Sequence, residues 1–204
     1  MTNLLHFDPV ALIQAFGYLG IFAIIFAESG LFFGFFLPGD SLLFAAGLLA
    51  SQGVLHIAFL IPIVIVAAIL GDNVGYWFGA RVGPKIFIRD NSFFFNKKHL
   101  ERTRNFYIKY GSRAVVIARF VPIVRTFTPI LAGVGQMRYQ EFLRYNIIGG
   151  VLWGAGVPLV GYSLGRVIPN LEHYLTPIIL GIIAVSFIPV IREILLSRKS
   201  TPTP

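Results

Sequence analysis

The sequence predicts an all-α polytopic membrane protein: about four spanning helices plus two opposed re-entrant helical hairpins in an inverted repeat. Three observations predict it. Of 204 residues, 56% are hydrophobic and only 13% charged, and the mean hydropathy is +0.76, which fits an integral membrane protein rather than a soluble domain. Two apolar runs, 31–50 and 114–136, carry charge and proline at their middles. Finally, the basic residues fall overwhelmingly on one side if those two runs enter the membrane and return. The whole of 1–204 reads as a single membrane domain.

The spanning candidates are 10–27, 54–80, 146–165 and 174–191, each close to the roughly 20 residues a bilayer requires. No Lys or Arg precedes the first of them, so a cleaved signal peptide is not expected. Run 31–50 holds Pro38, Gly39 and Asp40 at its centre; run 114–136 holds Arg119, Pro122, Arg125 and Pro129. Proline breaks a helix and glycine permits tight reversal. Broken backbone at membrane depth is tolerated only where protein encloses it. Nine of the 17 Lys and Arg residues lie between Arg81 and Arg113, so 84–113 reads as an amphipathic cytoplasmic connection resting on the surface. Residues 192–204 read as a cytoplasmic tail. If both broken runs crossed, ten basic residues would face inward and five outward. With both re-entrant, fourteen face inward and only Arg166 outward, which places both termini in the cytoplasm.

Composition excludes several function classes. There is no cysteine, and His6, His56, His99 and His173 are scattered without metal-ligand spacing. No cofactor is expected. The net charge of +8 is better matched to anionic lipid than to nucleic acid.

A repeat supports the inverted arrangement. Pro38 and Pro122 are 84 positions apart, Gly47 and Gly133 are 86 apart, and the pairs Gly75–Tyr76 and Gly161–Tyr162 are also 86 apart. The copies would cover about 28–83 and 114–168, with one crossing between the broken runs. Discontinuous helices meeting near the midplane are common in secondary transporters. The alternative is chance similarity between small-residue packing motifs.

Facing tips would bring Glu28 and Asp40 near Arg119 and Arg125. Arginine forks bind phosphate oxygens bidentately, so Arg119 and Arg125 are the candidate substrate-binding residues. Burial disfavours a charged carboxylate, which makes Glu28 and Asp40 the candidate proton-coupling residues. The competing structural reading is two buried ion pairs that hold the hairpins together, a poor source of stability. Supporting positions are Pro38, Gly39, Pro122, Asp72 and Asn73; the last two would either line the cavity or bond backbone at a glycine-rich kink. Tyr76, Trp77, Trp153 and Tyr162 read as interface or packing aromatics.

Glu28, FLPGDSLLFAAGLLA (36–50), GDNVGYWFGARVG (71–83), RFVPIVRTFTPILAGVGQMRYQEF (119–142) and NIIGGVLWG (146–154) together resemble the DedA family, also called the SNARE-associated or VTT-domain family. That resemblance implies a multi-pass protein of the cytoplasmic (inner) membrane, tied to envelope integrity and proton-motive force. It implies translocation of undecaprenyl phosphate or a phospholipid between leaflets, and it sets the family's acidic pair on Glu28 and Asp40 and its arginine pair on Arg119 and Arg125. The expected function is therefore a lipid flippase rather than an enzyme, its partners being a lipid and protons. A proton-coupled ion or drug exchanger and an intramembrane lipid phosphatase are the rivals; the latter lacks an evident nucleophile.

Overall fold

The computed structural model describes residues 9–31, 39–86 and 111–168. The expected span 174–191, the tail, Pro38 and most of the 84–113 connection lie outside the described residues. Regular structure among the described residues is entirely helical: α1 (Pro9–Gly30), α2 (Gly39–Ser51), α3 (Ile57–Ile86), α4 (Ala114–Ala118), α5 (Pro122–Val134) and α6 (Tyr139–Val167), with a 3₁₀ turn at Gly111–Arg113 before α4. Local chemistry sets the boundaries that matter for the site. Asp40 lies in the first turn of α2, where a negative charge complements the helix dipole. Pro122 opens α5, and Val121 before it is extended, at φ −121° and ψ 102°, as a residue preceding proline tends to be.

Two stretches, Ile57–Arg81 and Tyr139–Val167, are long and apolar enough to cross a membrane. Their outward faces are apolar: Phe59, Val66, Leu70 and Val74 on α3, and Ile148, Leu152 and Leu159 on α6. Their inward faces carry glycine. Such small residues let helix backbones approach closely where no aqueous hydrophobic effect drives association.

Contacts fix the direction of each helix. The hydroxyl of Tyr18 on α1 accepts from His56 N at 2.7 Å, in the loop before α3, and Gly30 at the end of α1 lies against Gly71 of α3. Helices α1 and α3 therefore run the same way, and α1 ends beside the middle of α3. Gly39, which opens α2, sits against Glu28, so α2 returns towards the loop before α3. A matching course follows downstream. Ser112 donates to Glu141 at the start of α6, and Val116 and Arg119 lie against Gly149. Thus α4 runs alongside α6, and the chain turns at Arg119–Val121 before α5 leads back. Gly150 meets Ile69 and Gly154 meets Ile65, so α3 and α6 are antiparallel.

Most of the first limb expected for run 31–50 lies outside the described residues. From Gly39 onward the run is the single helix α2, and the crossing expected over 10–27 falls on α1, whose C-terminal end lies beside the middle of α3.

The packing of the two halves is reciprocal. A Cβ on Gly133 would strike Tyr76 O and Ala80 N; one on Gly47 would strike Pro158 O and Tyr162 N. Likewise Gly79 lies on Ile130 O, and Gly161 on Phe44 O. Equivalent residues of the short helices (44 and 130, 47 and 133) are 86 positions apart. Those of the long helices (76 and 158, 79 and 161, 80 and 162) are 82 apart. Each half's short helix packs on the other half's long helix.

Candidate functional site

Arg125 stands in the first turn of α5, and its guanidinium is the hub of a buried cluster. Nη1 donates to Asp40 Oδ1 at 2.9 Å, while Nη2 donates to Glu28 Oε1. The guanidinium carbon lies 4.8 Å from the ring centroid of Trp153 on α6. The Trp153 indole N–H donates to the same Asp40 Oδ1 at 2.8 Å. Four helices thus meet on one cation. Glu28 is buried and the Arg125 side chain is only 10% exposed, whereas the Asp40 side chain is 49% exposed and forms the open flank of the cluster. Gly39 leaves room for the Glu28 carboxylate, which a Cβ at this position would displace.

Arg119 occupies the break between α4 and α5 and makes a separate pair. Its Nη2 donates at 2.5 Å to Asp72 Oδ2 and at 2.5 Å to Asn146 Oδ1. Asn146 is in turn fixed by its own N–H bond to Ile69 O, at 3.2 Å. The Arg119 stem passes over Gly149, where a Cβ would come within 2.8 Å of Cδ. Between the two arginines lies a cavity of about 10 Å³ lined by Ser29, Asp72, Arg119, Arg125, Thr128 and Trp153. That is on the scale of one water molecule.

Three of the four predicted charges therefore converge, namely Glu28, Asp40 and Arg125. Arg119 does not join those acids; its partner is Asp72, although both arginines face one cavity. The two readings of the 72–73 pair divide between the residues: Asp72 lines the cavity, and Asn73 bonds backbone at Ile69 O, 2.9 Å away. Trp153 was expected to be a packing or interface aromatic and is instead a direct partner of Arg125 and Asp40. Asn146 was not singled out. Spacing alone could have exposed both, since positions 146, 149, 150, 153 and 154 share one helical face on which the remaining residues are glycine.

The fold and the site together define an all-α membrane protein that shelters a charge cluster where two broken helical segments meet. The VTT domain matches residues 37–163, so the chain belongs to the VTT-domain family. Protein DedA of Escherichia coli K12 is 42% identical over 204 residues, spanning 97% of this chain and 93% of that protein. An uncharacterized membrane protein of Mycobacterium leprae is 48% identical over 166 residues, 81% of this chain and 74% of its own. Inner membrane protein YqjA of E. coli K12 is 34% identical over 149 residues, 73% and 68% respectively. No solved structure matches.

Proposed function

We propose that this protein is a transporter, not an enzyme, that carries an anionic lipid head group between leaflets of the inner membrane in exchange with protons. Undecaprenyl phosphate and phospholipids are the substrate classes. The observation that carries the reading is Arg125, largely withdrawn from solvent and shared by Glu28 and Asp40 where both broken segments meet. A buried cation held by two acids is costly as a structural device. It makes sense as a site where a phosphate competes with carboxylates for one fork and protonation of those carboxylates releases it. Asp40's open flank is the approach for the head group, while the lipid tails remain in the bilayer.

In this reading the limbs α1–α2 and α4–α5 are re-entrant from opposite faces, and the two halves are inverted copies. The reciprocal glycine contacts and the antiparallel course of α3 and α6 support it. An inner-membrane location is supported by the name of the relative YqjA.

Purified protein in liposomes with fluorescent polyprenyl phosphate or fluorescent phospholipid tests the proposal. Wild type is expected to translocate at least one of them, faster under a pH gradient, and Arg125→Ala and Asp40→Asn to lose most of that rate. Wild-type rates in both variants at equal reconstitution would reject the assigned roles. Phosphate release from a lipid pyrophosphate would move the protein to the phosphatase class, and ion flux without any lipid substrate to the exchanger class.

A further inference from the structure

The two arginines are built differently, and the difference assigns them different tasks. Arg125 uses two nitrogens on two carboxylates and sits over an indole, so its fork stays filled until those carboxylates are protonated. Arg119 meets both of its partners through one nitrogen, Nη2. Its Nε–H has no partner among the described residues although Arg119 is only 5% exposed. An unsatisfied buried donor on a charged group is expensive, and this one belongs to a residue lining the cavity. A guanidinium with Nε free and one Nη engaged can accept an oxyanion along its side, provided that the competing carboxylate yields.

We propose that Arg119 is the head-group anchor, that Asp72 is its exchangeable counter-ion, and that Asn146 is a positioning residue that keeps Arg119 aimed at the cavity. The proposal deepens the transport reading above and rests on it. When the site is empty, Asp72 neutralises Arg119. An anionic phosphate oxygen takes the place of Asp72 on Nη2 and adds the bond to Nε, while Asp72 takes up a proton from water and loses its claim on the cation. Asn146 stays anchored to Ile69 O throughout, so Arg119 does not follow the departing carboxylate. Of the charged groups on the neighbouring elements, Arg119 from the turn after α4 bonds Asp72 and Arg125 from α5 lines the same cavity, while Glu28 from α1 and Asp40 from α2 are held on Arg125; α6 presents the neutral Asn146 and Trp153. Asp72 is the acid among them bonded to Arg119.

The test is equilibrium binding of short-chain phosphatidylglycerol to the purified full chain in detergent, because a phosphodiester keeps its charge as pH falls from about 8 to about 6. Wild type should bind more tightly as pH falls. Asp72→Asn should bind on the order of tenfold tighter at the upper pH, the scale of one competing charged hydrogen bond removed, and should flatten the pH dependence. Asp72→Glu should restore it. Asn146→Ala should weaken binding at every pH while leaving its slope intact. Arg119→Lys supplies one nitrogen for Asp72 and Asn146 but no Nε–H, so it should melt near wild type yet bind at least about tenfold more weakly. The proposal is overturned if Asp72→Asn keeps both the wild-type affinity and slope, or if a stably folded Arg119→Lys binds normally. Either result leaves the transport reading standing. Wild type that binds neither this lipid nor farnesyl monophosphate would count against the transport reading as well.

Discussion

At the scale of single residues, the two arginines differ in tolerance as well as task. Arg125 distributes its charge over two carboxylates through separate nitrogens and sits over the Trp153 ring. A lysine ammonium is a point donor that cannot reproduce a planar fork. Arg125→Lys should therefore lose at least one charged hydrogen bond and lower stability by about 1.5–3 kcal/mol. Arg119→Lys, whose partners share one nitrogen, should cost clearly less. Melting curves of the two variants in the same detergent decide this, and equal losses would contradict the geometry. The charged residues themselves were legible in the sequence, because charge in an apolar run is conspicuous. Their pairing was not. Which acid meets which arginine depends on the rotation of α3 and α6 about their axes, and no local pattern reports that. Trp153 was hidden for a related reason: an aromatic near the middle of a span looks the same whether it packs or bonds.

At the scale of helices, the fold is held by backbone-to-backbone approach at glycine, and the glycines are not equivalent. A Cβ on Gly133 would run into Tyr76 O and come within 2.7 Å of Ala80 N, both main-chain atoms of α3 that cannot rotate aside. Gly133→Ala must push α5 away from α3 at a cost of about 1–3 kcal/mol, typical of overpacking. It must also displace Arg125, about two helix turns upstream, from its acids. Gly156, inside α6, has no atom within 4 Å of the added Cβ. Gly156→Ala should be neutral or stabilising by up to about 1 kcal/mol, because alanine is the better helix former. Unfolding titrations of the pair give opposite signs if the contacts are right. The sequence revealed these glycines through the 86-residue spacing of Gly47 and Gly133. It misaligned the long helices, however. The GYxxG matches at 75–79 and 161–165 suggest 86 there too, whereas the packed equivalents are 82 apart. From Gly47 to the start of α3 is ten positions but from Gly133 to the start of α6 only six, because α2 runs three residues further past its glycine and its loop is one residue longer. A motif match cannot see that change of length between the halves.

At the scale of the whole molecule, the direction of α1 decides which face of the membrane holds the N-terminal end. Counting basic residues could not decide it. No Lys or Arg precedes Arg81, so the fourteen-to-one distribution is the same whether α1 crosses completely or turns back at its end. The contacts favour turning back: Tyr18 meets His56 at the loop before α3, and Glu28 reaches the opening of α2 beside the middle of α3. The N-terminal end of α1 then lies on the face of the α2–α3 loop, opposite the basic connection that follows α3. With the limbs re-entrant as proposed, the N-terminal end is expected outside; with a complete crossing by α1, both termini are expected in the cytoplasm, and labelling decides between the two. The chain contains no cysteine, so single cysteines can be placed without background. Gly53→Cys, in the exposed α2–α3 loop, and an N-terminal epitope should both be reached from outside by impermeant reagents in intact cells. Gln136→Cys, in the exposed loop between α5 and α6, should react only after the membrane is opened. Gly53 and Gln136 both adopt positive φ, at 79° and 54°, and cap their short helices at equivalent turns. Labelling them from opposite faces therefore tests the inversion of the halves directly. An epitope reached only from the Gln136 side would restore a complete crossing by α1 and separate Glu28 from the depth at which Arg125 meets Asp40.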